Sequence, residues 1–388
     1  MRDILKRLVV LLFCCLVAAG WCDPDNPPNH PEDETGSIPV ASPTPTPGGL
    51  TTNAELAMRY ERDLNSPFKT DRLRYRARVG WQYQSHDWLF DVHLRSGNPY
   101  FPNSSWTTID KNQVDGRWAD EVYAKYRPHT APGWEFEAGE FPRPWHTNPV
   151  YSGFIWSNLI KPGGVNIAYN SPDQRWWLDI SPWFAMPIDV GHVGDFRVWA
   201  VHGGAGWGRY DTQRLEVSCA IMRFDYDLAA LTTLLGRNVG NSVVTMGKTP
   251  VGFGSTYDII DPKMDWYFHR GKIPMAISFE YWDNLGQTTP GVKVNGKTGY
   301  QYGIVVGKTQ WPHKISARID FVHVGQDAVF TPVAQADYAV QTNFDGIYAN
   351  LAVPLSPHLT TVFVLEHTDP SAVQKLQNRT SIDLSYQL

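Results

Sequence analysis

The chain has 388 residues, a formal net charge of −5 and 19% charged side chains, with 34 Lys and Arg against 39 Asp and Glu. That balance offers no basic surface for nucleic acid, and four cysteines are too few for a disulfide framework. Tryptophan is abundant at 16 residues, beside 18 Tyr and 17 Phe, yet no internal apolar run reaches the ~18–20 residues of a membrane helix.

At the N-terminus, Arg2, Lys6 and Arg7 precede the apolar run 8–19, which closes on Ala18, Ala19 and Gly20. Charge, short apolar run and small residues are the pattern of an export signal, so residues 1–20 are expected to be removed. Residues 21–53 follow as a Pro-rich, acidic leader with few large apolar groups, expected to be disordered. Cys14, Cys15 and Cys22 fall in or beside the signal. Cys219 alternates with Leu215, Val217 and Ile221 and reads as a packing residue on an apolar face.

From residue 54 to 388 strand-length segments succeed one another. The most informative is DRLRYRARVGWQY (71–83), in which Arg72, Arg74, Arg76 and Arg78 recur at every second position. Leu73, Tyr75, Ala77, Val79, Trp81 and Tyr83 lie between them. In a strand this gives one face of guanidinium groups and one apolar, aromatic face. Unpaired arginines cannot face a dry core, because desolvating each ion costs several kcal/mol. The charged face must meet water, either outside a soluble sheet or inside a membrane barrel.

The alternation continues along the chain. Asp91, His93 and Arg95 oppose Phe90, Val92 and Leu94; Glu121 and Lys125 oppose Val122 and Ala124; Glu135 and Glu137 oppose Trp134 and Phe136. Further on, Lys314, Arg318 and Asp320 oppose Ile315, Ile319 and Phe321. Short polar turns (84–87, 128–133, 171–174, 211–213, 310–312, 356–358) alternate with longer segments (96–117, 142–162, 186–197, 284–297, 325–343, 368–377). A membrane barrel has tight turns at one rim and long loops at the other, and a soluble sandwich has no reason to keep that alternation. The expected fold is therefore all-β: a closed antiparallel transmembrane β-barrel of about 16–18 strands. The higher count includes weak candidates at 228–235, 242–249 and 265–269.

Several segments resemble a bacterial porin family of outer-membrane β-barrels. These are LAMRYERD (56–63), DRLRYRARVGWQY (71–83), FIWSNLIKPGGVNIAY (154–169), IDFVHVGQDAVFTPVAQADY (319–338) and NRTSIDLSYQL (378–388). The resemblance covers residues 54–388 and implies a pore in the bacterial outer membrane, with no catalytic residues to carry over. The chain departs from the common terminal phenylalanine by ending in Leu388, with Tyr386 two positions earlier.

The functional expectation is a porin passing small hydrophilic solutes or ions by diffusion. Its partners are outer-membrane lipid, the solutes and other copies of the chain, as a trimer, or none of these copies, as a monomer. Arg72, Arg74, Arg76, Arg78, Asp91, His93, Arg95, Glu121, Lys125, Glu135, Glu137, Lys314, Arg318 and Asp320 are expected to line the pore. Asp91, Glu121, Glu135, Glu137 and Asp320 are expected to pair with the arginines across neighbouring strands, while the arginines attract anions. Segment 142–162 is either a constriction or a surface loop. There is no G-x-S-x-G turn, no H-E-x-x-H pair and no close His/Cys cluster in sequence, so no enzyme, metal or cofactor is expected. The alternative is an exported, Trp-rich soluble β protein that binds carbohydrate.

Overall fold

The computed structural model describes residues 49–64, 71–97, 107–108, 116–144, 161–185, 196–226, 231, 235, 240–307, 315–334, 342–356, 358–370 and 377–387. The expected signal, nearly all of the leader, Lys314 and the turn at 310–312 lie outside them. The strands are β1 (Gly49–Asp63), β2 (Asp71–Ser85), β3 (Trp88–Gly97), β4 (Thr107–Thr108), β5 (Gly116–Tyr126), β6 (Trp134–Glu140), β7 (Pro162–Asn170), β8 (Trp176–Ala185), β9 (Phe196–Arg209) and β10 (Gln213–Tyr226). They continue as β11 (Val243–Met246), β12 (Thr249–Phe253), β13 (Tyr257–Arg270), β14 (Ile273–Asn284), β15 (Thr298–Val306), β16 (Ser316–Val324), β17 (Phe344–Ser356), β18 (Leu359–Pro370) and β19 (Gln377–Gln387).

Sixteen of these strands, β1–β3, β5–β10 and β13–β19, form one antiparallel barrel, each paired with its sequence neighbours. The ring closes because β1, the first strand, pairs both with β2 and with β19, the last. Met58 is the register partner of Tyr75 on β2 and of Leu384 on β19. Two of the weak strand candidates are not barrel strands. The backbone is helical at Leu231 and Leu235, and β11–β12 is a separate two-stranded hairpin between β10 and β13. The third, 265–269, is part of β13. Period-two patterning in a short apolar run cannot tell a barrel strand from a loop hairpin.

One rim carries tight connections, such as His86–Asp87 between β2 and β3 and Gly271–Lys272 between β13 and β14. The other carries the longer segments, including 227–256 and 325–343. The two rims are called the turn rim and the loop rim below.

The two faces of the wall differ as a membrane barrel requires. Outward residues are large, apolar and exposed: Trp207 and Ile221 at 57%, Trp199 at 54% and Phe90 at 46%. Cys219 lies on this face. Tyr83, Phe90, Trp88, Tyr126, Phe136, Trp134, Tyr169 and Trp176 form a continuous ring-to-ring belt near the turn rim, with neighbouring centroids 4.6–6.5 Å apart. Aromatic belts of this kind sit at the membrane–water boundary. An apolar surface that encircles the molecule is far larger than a soluble protein tolerates, which removes the soluble alternative.

Candidate functional site

The inner wall is built from the opposite strand positions. On β2, Arg72, Arg74, Arg76 and Arg78 point inward while Leu73, Trp81 and Tyr83 are exposed on the outer face. The arginines are paired, but chiefly not with the carboxylates the sequence suggested. Their partners are on β1, the strand next door. Arg72 bonds Glu61 and lies 3.1 Å from Asp63, Arg74 is 3.4 Å from Glu61, and Glu55 takes Arg76 at 2.5 Å and Arg78 at 3.9 Å. β19 and β18 extend the network. Arg59 donates to Asp383 at 2.6 and 2.7 Å, and Arg379 lies 2.8 Å from Asp63 and 3.6 Å from Glu366. Six arginines thus stand among five carboxylates on β18, β19, β1 and β2, and Arg95 of β3 is the register partner of Arg78.

A second network covers β3 to β7. His93 lies between Asp91 at 3.4 Å and Glu121 at 3.2 Å, and Lys161 reaches Glu121 at 2.8 Å. Lys125 bridges Glu135 at 3.3 Å and Glu137 at 3.2 Å, and Arg127 holds Glu135 at 2.5 Å. Asp179 of β8 faces His202 of β9 at 3.4 Å. The His93 ring fits because Gly80 lies opposite it, where a Cβ would stand 2.0 Å from the imidazole. Here carboxylates outnumber permanent cations, the reverse of the arginine sector.

On the far wall, Lys263 sits between Asp261 at 3.1 Å and Glu280 at 3.3 Å. Arg318 pairs with Asp320 at 3.1 Å and stacks 4.2 Å from the Tyr348 ring. The expected lining residues therefore share the inner face but fall into separate sectors, with Lys314 outside the described residues. Sequence reasoning passed over Glu55, Arg59, Glu61, Asp63, Glu366, Arg379 and Asp383 as lining residues. Their signal was the same alternation in β1, β18 and β19.

Among solved structures, the barrel is similar to OprB of Pseudomonas putida at high pH, with a TM-score of 0.57 and 12% identity over 87% of this chain and 94% of that one. It is also similar to outer-membrane expressed OmpT of Vibrio cholerae (TM-score 0.52, 11% identity, 89% and 99% covered). A third is Salmonella typhi OmpF in complex with daunomycin (TM-score 0.51, 10% identity, 88% and 98% covered). The fold is that of the outer-membrane porins. At such identities the likeness carries the fold alone. No family profile and no curated protein matches the sequence.

Within this barrel the loop-rim end of the lumen is not empty. Residues 325–334 turn inward and pack against the inner faces of β9, β10, β13, β14, β16 and β17. Phe330 is fully buried, with ring centroids of Phe196, Phe224, Tyr226, Phe253 and Tyr257 at 4.8–5.9 Å. Polar latches hold the insert. Asn241 donates to the Gln326 and Val329 carbonyls at 2.9 and 2.8 Å and accepts from the Thr331 amide at 2.9 Å. Asp327 accepts from the Ser242 amide at 2.8 Å, from the Ser242 hydroxyl and from the Tyr257 hydroxyl at 3.2 Å. Burial pushes the Asp327 carboxyl above its ordinary range, against the pull of these donors.

Most of 142–162 lies outside the described residues, but its two ends are placed. Arg143 is close enough to Lys263 on the far wall for their charges to interact, and Lys161 is tied to Glu121.

Proposed function

We propose that this chain is a porin of the bacterial outer membrane that lets small hydrophilic solutes or ions diffuse through its lumen, without covalent chemistry. The observation that carries the reading is the closed two-faced wall, apolar and aromatic outside, charged within. A lumen whose charges are satisfied by neighbours stays hydrated and holds solutes only weakly, as conduction requires. Orientation follows from the rims: tight turns toward the periplasm, long loops toward the exterior. Membership of the porin family suggested by 56–63 and 71–83 is part of the same reading.

The pore-lining role of Arg72, Arg74, Arg76 and Arg78 is proposed in a specific form. The arginine sector carries the cationic excess and the β3–β8 sector the anionic excess, so a solute crosses a transverse field rather than a uniformly positive tube.

The test is single-channel recording in planar bilayers with a salt gradient. The full chain should give stable steps. The triple substitution Arg74→Gln, Arg76→Gln, Arg78→Gln should move the reversal potential toward cation preference, changing the permeability ratio by roughly threefold, the effect of about half a kT of local potential acting with opposite sign on cation and anion partition. Absence of any conductance from correctly folded barrels would remove the porin reading and leave a closed scaffold. An unmoved reversal potential would remove the arginines from the ion path.

A further inference from the structure

The turn rim carries a side-chain cluster that the transport reading does not use. His86 and Asp87 form the connection between β2 and β3, and His129 lies in the turn between β5 and β6. Strands β2, β3, β5 and β6 are successive staves of the barrel, so the two turns stand side by side. His129 Nδ1 is 2.9 and 3.1 Å from the two Asp87 carboxylate oxygens, and the His86 and His129 ring centroids are 5.2 Å apart. One ligand-capable atom from each of the three residues falls within 4.8 Å of the other two.

Two features distinguish this from an incidental surface cluster. The frame is fixed by backbone contacts: the Arg127 amide donates to the Asp87 carbonyl at 2.7 Å, and the His129 amide donates to the Asp87 carboxylate at 3.3 Å. Pro128 stiffens the approach to His129 by locking its own φ. The second feature is His86. Among the described residues its imidazole touches the His129 ring and makes no hydrogen bond, so a nitrogen lone pair is available at the cluster.

Two imidazoles and one carboxylate, with the remaining positions open to water, make a ligand set for a divalent transition ion, whereas Mg²⁺ and Ca²⁺ prefer oxygen ligands throughout. We propose that His86, Asp87 and His129 bind one divalent transition-metal ion of the Zn²⁺ or Co²⁺ type, clipping two neighbouring turns together at the turn rim. The ligand atoms already converge, so small rotations of the two exposed rings are all that coordination requires. Closing the gap between the turns constrains β2–β3 against β5–β6 and leaves the lumen wall untouched.

The test uses the untagged full chain, folded in detergent, titrated with Zn²⁺ by calorimetry and with Co²⁺ by visible absorption. The expected result is one saturable site per chain, with Co²⁺ bands of a low-coordinate nitrogen–oxygen set. His86→Ala and His129→Ala should each weaken binding by more than the roughly 10–100-fold that loss of an outer-shell partner costs. Asp87→Asn should weaken it as well, and His269→Ala, on the same rim but outside the cluster, should leave it unchanged. Migration of the unheated barrel on a gel checks that each variant is folded. No saturable Zn²⁺ binding, or binding equal in wild type, His86→Ala and His129→Ala, would overturn the proposal. None of these outcomes depends on whether the barrel conducts.

Discussion

Asp327 shows how one residue can set the firmness of a lumen insert. Its carboxylate takes three donors from Ser242 and Tyr257, yet burial raises its proton affinity. The folded insert therefore binds a proton more readily than an opened one. Where the folded pKa exceeds the open-state value, protons favour the closed form, and that stabilisation is lost as pH rises through the folded pKa. Insert opening, read as amide exchange over 325–334 after correction for intrinsic rates, should become rarer as the pH falls from 7 toward the ordinary carboxylate range. Asp327→Asn keeps the shape but removes the titration, so its pH slope should flatten. A slope that persists in this variant would assign the effect to another group. Asn241 acts differently, because it is neutral and bonds three insert residues. Its loss leaves buried carbonyls and an amide without partners, which is costly at any pH.

At the scale of the strand, β1 and β2 behave as one electrostatic unit. Glu61 is 2% exposed and meets Arg72, Arg74 and Arg379. Glu61→Gln removes the charge that all three share. Asp63 and Glu366 still serve Arg72 and Arg379, so the expected loss is about 1–3 kcal/mol rather than the larger cost of isolating a buried ion. Urea unfolding in lipid vesicles measures it, and an unchanged midpoint would mean that the network relaxes fully. The arginine face itself was legible in DRLRYRARVGWQY, because period two and ion desolvation leave few options. Its partners were not legible, because which carboxylates meet which arginines depends on register and on the closure of β1 with β19. Asp91 and Glu121 carry the right chemistry but stand beside His93 and Lys161. The same reason hid the cluster of His86 and Asp87 with His129, which lies 42 residues beyond Asp87 and is a neighbour only through strand order. The insert was hidden for another reason: Ala328, Val329 and Phe330 are an apolar triplet in a loop, with no periodicity to say which way it turns.

For the whole molecule the question is how much of a sixteen-strand ring stays open. A barrel of this size is wide enough for an aqueous channel, but residues 325–334 pack into its loop-rim end against the inner faces of β9, β10, β13, β14, β16 and β17. The charged sectors on β18, β19 and β1–β8 lie mostly on the complementary arc. Obstruction and selectivity are therefore assigned to different parts of the wall, and they should separate experimentally. Replacing residues 327–333 with a short Gly-Ser linker should raise single-channel conductance, because an apolar block is exchanged for water. It should leave the reversal potential in a salt gradient close to wild type, because Arg72–Arg78 and the β3–β8 carboxylates keep their partners. The arginine-to-glutamine triple variant should do the opposite, shifting the reversal potential with a smaller change in conductance. If the linker variant conducts no better than wild type, the narrowest section lies elsewhere in the barrel. If it changes both quantities together, the insert also shapes the field, and the two arcs act as one filter.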